Sequence, residues 1–333
     1  VRSPEKLIHF FTLNTDKMTT MLRRLRLSYM VYNFFRKREL AYNEHNYKRL
    51  GLKKKYYSPV SSRDFARLGP VPDPEPVTRA SFERCAIFAE LTETDKQSLE
   101  NFDTNGFAII RQYLPEDQVE AINREIDELL KRKKLRFYNN SKIFAAMHFS
   151  RLINSIGRNK KLNELLTVLL RGKPYLFGSM NFRMGSQLAS HSDSIHMTTY
   201  PLGGMMGVWL ALDDIDEDNG PLHYFPGSHK LPYYLNADYD NEGNAWLIGD
   251  KSYEAYEKML QGKIEELQLK KQLFTARKGD LIMWHANLIH GGEPHLNKEK
   301  TRKSMVFHFY KEDAICYHEI TQRPAIRGKH VTR

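Results

Sequence analysis

The chain has 333 residues, 41% of them apolar, which is enough for one large domain or two modest ones with a hydrophobic core. It has only two cysteines, Cys85 and Cys316, far apart, which argues against a disulfide framework or a zinc knuckle and favours a reducing, cytoplasmic compartment. No run of 18 apolar residues predicts a membrane-spanning helix, and the formal net charge is +11.

The positive charge lies almost entirely in an N-terminal segment. Residues 1–80 contain 17 Lys and Arg against 7 Asp and Glu, so the rest of the chain is nearly neutral. Residues 18–50 carry apolar side chains at helical spacing between the cations, which predicts a basic amphipathic helix. Weak contact of this helix with a membrane surface is one interpretation. We favour a helical extension packed on the main domain, and we expect no nucleic-acid partner.

A proline-rich stretch follows this segment. Four prolines alternate with other residues between positions 70 and 76, a pattern that can continue neither a helix nor a central strand. This stretch is therefore predicted to be an extended connector. The sequence predicts two regions: a basic helical extension with its linker in residues 1–80, and a catalytic domain in residues 81–325.

Helices and one strand open the second region. A helix over residues 92–102 is followed by Asn105-Gly106, where glycine can take the left-handed conformation, and then by an apolar strand over residues 107–110. Pro115 occupies the favoured first turn of a helix that extends to residue 130. A further helix is predicted over residues 161–170.

From residue 175 onward, short β-rich runs alternate with turn clusters. The runs are residues 175–183, 207–212, 274–277, 281–284 and 305–310. One helical insert, around residues 232–272 with its helix at 253–267, interrupts them. Many short strands with glycine and proline turns predict a mainly β fold with flanking helices. The pattern leaves two architectures open for the core, a barrel or a jelly-roll sandwich.

One set of residues in this chain suits a mononuclear iron centre. His191 and Asp193 flank a serine, and His290 lies about a hundred residues later. Two imidazoles and one carboxylate hold one face of Fe(II) in non-haem oxygenases and leave positions for a co-substrate and dioxygen. Arg302 follows and could bind a carboxylate of that co-substrate with two hydrogen bonds. The spacing alone is weak evidence, because a histidine two residues before an acidic residue arises about once or twice by chance in such a composition.

Other histidines compete for the ligand role. His196 is an alternative ligand, but its position suits the lining of a substrate mouth better. The remaining histidines of the region are interpreted as packed residues (His229, His285, His308) or as a solvated one (His295).

Several motifs together carry a family resemblance. They begin with the helix, glycine and strand of residues 99–110, and the densest run is residues 207–214, Gly-Val-Trp-Leu-Ala-Leu-Asp-Asp. The others are Asn219-Gly220-Pro221-Leu222, Pro226-Gly227-Ser228-His229-Lys230, Lys278-Gly279-Asp280-Leu281, His290-Gly291-Gly292 and Thr301-Arg302-Lys303-Ser304. In this order they resemble the phytanoyl-CoA dioxygenase family of Fe(II)- and 2-oxoglutarate-dependent oxygenases. Nothing in residues 1–80 contributes to the resemblance.

The resemblance implies a role for individual residues. By position in the motifs, His191, Asp193 and His290 are the iron ligands, and Arg302 binds the distal carboxylate of 2-oxoglutarate. Two further co-substrate residues are implied: Trp209, an aromatic lining the pocket, and Ser304, a second hydrogen-bond donor to that carboxylate. The resemblance also implies a double-stranded β-helix core, the jelly-roll or cupin-like architecture. The cofactors would be Fe(II), 2-oxoglutarate and O2.

One position departs from the family pattern. Relatives often have serine two residues after the distal histidine, where this chain has Gly292. A polar contact to 2-oxoglutarate is therefore missing or supplied elsewhere, for example by Thr301 or Gln187.

The implied reaction is hydroxylation of a C–H bond in a small organic substrate of unknown identity, with release of succinate and CO2. Because Asp193 fills the coordination position that a halide would need, hydroxylation is expected and halogenation is not. The alternative is a cupin-like metal-binding protein or isomerase without 2-oxoglutarate turnover. Aromatic residues of the insert could form a lid over the substrate. The sequence does not determine the oligomeric state.

Overall fold

The structure is a computed structural model, and it describes residues 24–69, 71–72, 74–138 and 141–328. Part of the predicted basic helix, residues 18–23, lies outside the described residues. Within the described ranges, none of the helices combines the length and apolar character needed to cross a bilayer. The elements below are numbered along these ranges.

The N-terminal extension forms three short helices where the sequence predicts one long helix. These are α1 (Arg26–Phe34), α2 (Lys37–Leu40) and α3 (Tyr42–Arg49). The chain leaves the helical conformation at Phe35 and Arg36. Because the breaks reorient the chain, each helix buries a different anchor, with Tyr29, Leu40 and Tyr47 all inaccessible. A regular helical period cannot reveal such breaks, because the apolar spacing continues across them.

This extension packs against the C-terminal part of the chain. Tyr47, Val60 and Phe65 form one buried cluster with Ile315 and Tyr317. The backbone N–H of Val60 also donates to a carbonyl near the C-terminus, that of Gln322, at 2.8 Å. The preferred interpretation of the basic segment, a helical extension packed on the domain, agrees with these contacts.

The remaining helices flank the β core, and four of them were predicted to within a few residues. Thr92 and Asn159 cap two of them, because their side-chain oxygens accept hydrogen bonds from backbone N–H groups of the first turn. Gly106, with φ +81°, ends the helix before the first strand. The helices are α4 (Arg79–Phe82), α5 (Glu93–Glu100), α6 (Phe102–Asn105), α7 (Glu116–Lys131), α8 (Arg151–Gly157), α9 (Lys160–Leu169) and α10 (Tyr253–Glu266).

Twelve strands are described, in three antiparallel sheets. They are β1 (Phe107–Ile110), β2 (Lys142–Phe144), β3 (Pro174–Phe182), β4 (Thr198–Tyr200), β5 (Met205–Ala211), β6 (Leu222–Tyr224), β7 (Gln272–Phe274), β8 (Leu281–His285), β9 (His290–Gly292), β10 (Ser304–Lys311), β11 (Ile315–His318) and β12 (Arg323–Pro324). The large sheet has the order β1-β8-β5-β10-β3-β2, and the small sheets are β7-β6-β9 and β12-β11-β4.

The large sheet and the β7-β6-β9 sheet enclose the inner core of a jelly roll. Trp209, Val306 and Ile282 are cross-strand neighbours, and all three pack in one cluster with Leu222 and Phe274 of the small sheet. The predicted fold class, a jelly-roll core with flanking helices, is confirmed.

The opposite face of the large sheet is covered by helices. Val208, Met283 and Phe307 are again cross-strand neighbours, and they pack with apolar residues of α7 and α9. Side chains alternate between the two faces of a strand. The large sheet therefore has a helix-covered face and an inner face that is available for a site.

The insert between β6 and β7 packs on the outer side of the small sheet. Tyr256 and Leu260 of α10 are fully buried in a cluster with Phe225 and Ile289. The aromatic residues of the insert, which the sequence suggested as a lid, differ in burial: Tyr239 and Tyr256 are core residues, and Trp246 is exposed. The others are partly buried against the same cluster: Tyr233, Tyr234 and Tyr253.

Candidate metal centre and co-substrate site

The two predicted histidine ligands face each other across an isolated antiparallel bridge. The His191 N–H donates to the His290 carbonyl at 2.8 Å, and the His290 N–H donates back at 2.9 Å. Residues paired in this way project their side chains to the same face, a few ångströms apart. The two imidazole centroids accordingly lie 4.6 Å apart. The hundred-residue gap in the sequence is thus closed by strand pairing.

Asp193 completes the group from the same loop. It opens a short turn after Ser192, and one ligand atom each from Asp193, His191 and His290 lies within 4.8 Å of the others. The Asp193 Oδ1 atom is 3.9 Å from Nε2 of His290. All three side chains are buried. Two imidazoles and a carboxylate are the donor set of the non-haem iron facial triad, so the residues fit that metal.

Each histidine is held in one tautomer by its own backbone. Nδ1 of His191 lies 2.9 Å from the Ala189 carbonyl, and Nδ1 of His290 lies 2.9 Å from the Leu288 carbonyl. A carbonyl oxygen only accepts, so each Nδ1 carries the proton and each Nε2 presents a lone pair to the centre. Burial, reinforced by the charge of His290, lowers the pKa of His191 to about 3, so this ring is neutral and ready to bind a cation at neutral pH.

The second oxygen of the aspartate is fixed by a tryptophan. The indole Nε1 of Trp284 donates to Asp193 Oδ2 at 2.8 Å. Trp284 can lie in this position because residue 207 is glycine: a Cβ there would be only 2.4 Å from the indole ring. This contact leaves Asp193 Oδ1 to face the two histidines.

His308, which the sequence suggested only as a packed strand residue, also lies at the centre. Its Nε2 atom is 3.9 Å from Asp193 Oδ2. Burial works to raise the pKa of Asp193, but the electrostatic interactions with His290, His308 and His191 and the Trp284 hydrogen bond outweigh it, so the pKa lies below its usual value. The carboxylate is therefore ionised, as a metal ligand must be.

Arg302 is a fully buried cation without a carboxylate partner in the part of the chain that the structure describes. Its Nε donates to the Gly220 carbonyl at 3.0 Å, and Nη1 donates to Ser304 Oγ at 3.0 Å. The guanidinium carbon lies 5.1 Å from the ring centre of Trp209. Burial lowers the pKa of Arg302 to about 10, which still leaves it charged at neutral pH. A buried, unpaired charge is costly, so the arrangement calls for an anion.

Strand β10 joins the cation to the triad. Ser304 and His308 project to the same inner face, four residues apart, which corresponds to roughly 13 Å along a strand. Ser304 contacts Arg302 and His308 lies beside Asp193. The inner face therefore presents a metal-ligand set at one position and an anion-binding group further along, as a chelating dicarboxylate requires.

A family model described as Phytanoyl-CoA dioxygenase (PhyH) matches residues 102–304, more than half of the chain, and this range contains the triad, Arg302 and Ser304. The chain belongs to this family. The predicted family is confirmed, and with it the predicted class of enzyme, a 2-oxoglutarate-dependent dioxygenase. Iron and 2-oxoglutarate are the cofactors that this membership and the triad together imply.

Individual relatives are distant. The chain is 25% identical over 232 residues to the phytanoyl-CoA dioxygenase domain-containing protein 1 homolog of Caenorhabditis elegans, covering 67% of this chain and 74% of that one. It is 23% identical over 268 residues to the Bos taurus protein of the same name, covering 63% and 88%. Among solved structures, the 2-oxoglutarate-dependent carbocyclase SnoK from nogalamycin biosynthesis has a TM-score of 0.55 at 16% identity, covering 73% of this chain and 89% of that one. This last similarity concerns the fold.

The alternative ligand of this dioxygenase, His196, lies beside the triad and outside it. Its ring centre is 6.4 Å from that of His191, and its Nδ1 is 3.5 Å from Nε2 of His318. It also packs against Tyr253 of the insert, 4.8 Å away between ring centres. His196 therefore lies next to the triad without belonging to it, and its place at a substrate mouth stays a prediction.

Ser186 lies next to Gly292, the position where relatives often have serine, and the sequence did not single it out. A Cβ at Gly292 would lie 2.6 Å from Ser186 Oγ, so this hydroxyl occupies the space of the absent side chain. The two suggested substitutes are engaged elsewhere: Thr301 donates to Asp213, and Gln187 accepts from the His295 N–H. Gly292 indicated in the sequence that a polar contact was missing. The residue that occupies its place could not be predicted, because the loop that brings Ser186 there follows no sequence spacing.

One residue differs from the sequence-based interpretation, and a second, Lys142, was not singled out there. His295 is buried and not solvated, because its Nε2 lies 2.9 Å from the carbonyl oxygens of Asn297 and Lys300. Lys142, which lies on the unpredicted strand β2, is half-buried with its charge close enough to lower the pKa of His191. It has no ion pair within the described ranges and adds a second cation near the centre.

Proposed function

We propose that this dioxygenase hydroxylates a C–H bond of a small organic substrate. The observation that carries the proposal is the combination of a buried two-histidine, one-carboxylate set with a buried arginine that lacks a counter-charge. A bound iron would supply the oxidative decarboxylation of 2-oxoglutarate to succinate and CO2 and the transfer of one oxygen atom to the substrate.

The protein's own residues supply position and charge. Nε2 of His191, Nε2 of His290 and Oδ1 of Asp193 would hold one face of the ion, and their hydrogen bonds fix all three beforehand. Arg302 and Ser304 would bind the distal carboxylate, with the Trp209 ring against the guanidinium. The apolar inner core around this pair excludes water and strengthens the charge contact.

His196 offers a fixed hydrogen-bond donor beside the triad. The Thr321 N–H donates to Nδ1 of His318, so the other nitrogen of that ring, Nε2, carries the proton and faces Nδ1 of His196. His196 therefore keeps its own proton on Nε2, where it can donate to a substrate. We infer a substrate with an acceptor oxygen near the carbon that reacts, next to the Tyr253 ring.

The proposed function is tested by measuring 2-oxoglutarate turnover in the Arg302→Ala variant. Loss of two charge-assisted hydrogen bonds predicts a fall in succinate formation of at least about a hundredfold, with iron affinity retained. Arg132→Ala, at an exposed arginine directly after α7, is the matched control and should behave as the unmodified chain.

Two measurements separate this proposal from the cupin-like alternative. Adding 2-oxoglutarate to the iron-loaded protein without oxygen should produce a visible charge-transfer band, and the band should be absent in Arg302→Ala. An iron-loaded, folded protein that shows no band and releases no succinate would contradict the proposed function.

A further inference from the structure

Helix α1, the residue that follows it and Trp246 of the insert form an exposed apolar surface. Of the ten large apolar side chains that are exposed within the described ranges, five belong to it. They are Leu27 (62% exposed), Val31 (52%), Phe34 (55%), Phe35 (80%) and Trp246 (77%). Positions 27, 31 and 34 share one face of α1, and the opposite face buries Tyr29 and Asn33. We call these five residues the α1 apolar surface.

Two distant segments build this surface. Leu25 and Leu247 form an isolated antiparallel bridge, and the Arg26 N–H donates to the Trp246 carbonyl at 2.9 Å. The Ile248 N–H donates to the Arg24 carbonyl at 2.9 Å. The exposed tryptophan is therefore held beside α1 by backbone hydrogen bonds, and folding assembles the surface from both segments.

Unpaired cations border the surface. Lys37 and Arg38 follow directly on α1, while Lys53 and Lys55 precede Tyr56, whose ring stacks on Phe34 at 6.5 Å. None of these four cations has an ion pair in the described part of the chain. The nearby carboxylates are already engaged, Glu39 by Arg36, Glu44 by a backbone N–H, Asp64 by Lys54 and Asp250 by Arg24.

We propose that the α1 apolar surface docks on a membrane that contains anionic lipid. Aromatic side chains, tryptophan above all, favour the interfacial region of a bilayer, and each nearby cation adds attraction to anionic headgroups. A second copy fits less well, because a symmetric contact would bring the two positive borders together. This surface is separate from the metal centre, so docking adds a location for the enzyme and leaves its chemistry unchanged.

Vesicle co-sedimentation of the full chain tests the proposal. Binding to phosphatidylcholine vesicles that contain phosphatidylserine should exceed binding to pure phosphatidylcholine by about tenfold or more. The double variant Phe35→Ser, Trp246→Ser should lower this binding by more than about tenfold. Lys37→Glu with Arg38→Glu should remove the preference for the anionic lipid. Leu296→Ser, at a side chain that is 69% exposed and outside the surface, is the control and should bind like the unmodified chain.

Tryptophan fluorescence supplies a second readout. The chain has three tryptophans, and Trp209 and Trp284 are buried, so quenching by acrylamide reports on Trp246. Quenching should be efficient in the free protein and suppressed by the anionic vesicles. Failure to bind these vesicles, or equal binding by the Phe35, Trp246 double variant, would overturn the proposal. Shielding of Trp246 without vesicles would also overturn it, by showing that another part of the chain or a second copy covers the surface.

Discussion

The metal centre depends on residues that the sequence motif does not contain. The ligands His191, Asp193 and His290 were found from residue type and family resemblance, and the structure brings them together. Trp284 was not singled out, because its contact with Asp193 depends on the register of β8 against β5 and on the absence of a side chain at Gly207. Motifs indicate ligands, whereas the residues that orient ligands follow from tertiary packing.

Replacing Trp284 by phenylalanine isolates this orienting contact. The variant keeps an aromatic ring but removes the N–H, so Asp193 Oδ2 loses its hydrogen bond and the carboxylate gains freedom to rotate. Residues that orient metal ligands typically contribute about 10- to 100-fold to metal affinity, so we expect a loss of at least about tenfold. Anaerobic Fe(II) titration measures the affinity, and circular dichroism checks the fold.

Trp209→Phe is the matched control for that variant. It alters the contact with Arg302 and leaves Asp193 untouched, so it should raise the KM for 2-oxoglutarate and keep the iron affinity. Unchanged iron affinity in Trp284→Phe would show that the bridge between the two histidines alone fixes the centre.

At the scale of elements, the long strands and the periodic helices of the catalytic domain could be predicted from the sequence, whereas the short strands could not. The predicted runs 175–183 and 305–310 appear as β3 and β10 almost unchanged. The two- to four-residue strands β2, β4, β6, β9, β11 and β12 were missed, because so few residues carry no alternating pattern of their own. One of them, β9, holds His290, so the site could be recognised from the sequence before its supporting strand could.

The contacts of the N-terminal extension lead to a prediction about Phe65. Its ring stacks on Tyr200 of β4 with centroids 4.3 Å apart and packs on Tyr317 of β11. Phe65→Ala should therefore lower the free energy of unfolding of the whole protein by about 3–5 kcal/mol, as for other buried phenylalanines.

Urea unfolding followed by tryptophan fluorescence measures this effect, because Trp209 and Trp284 both lie in the core of the jelly roll and not in the extension. Phe35→Ala, an exposed phenylalanine of the same segment, should change the free energy by less than about 0.5 kcal/mol. An unchanged transition in Phe65→Ala would mean that residues 1–80 form a unit independent of the catalytic domain, as the boundary predicted at residue 80 suggests.

At the scale of the whole molecule, buried neutral histidines link stability to pH. Burial lowers the pKa of His318 to about 3, and burial with the charge of His290 does the same for His191. In the unfolded chain a histidine has a pKa of about 6.5. Between pH 3 and pH 6.5 the unfolded state therefore binds more protons than the folded state. The contribution of these neutral histidines to the free energy of unfolding is fully present above pH 6.5 and is lost as the pH falls toward 3.

The metal-free protein should therefore lose stability as the pH falls from 7 to 5. Each such histidine contributes about 1.4 kcal/mol per pH unit, or on the order of 2 kcal/mol at pH 5. Urea unfolding with a chelator at pH 7, 6 and 5 measures the slope. His318→Gln removes one titrating group and should make the slope shallower, whereas His45→Gln, at an exposed position, should leave it unchanged. A slope equal to that of the unmodified chain in His318→Gln would mean that His318 can accept a proton in the folded protein, and the donor inferred at His196 would then lose its support.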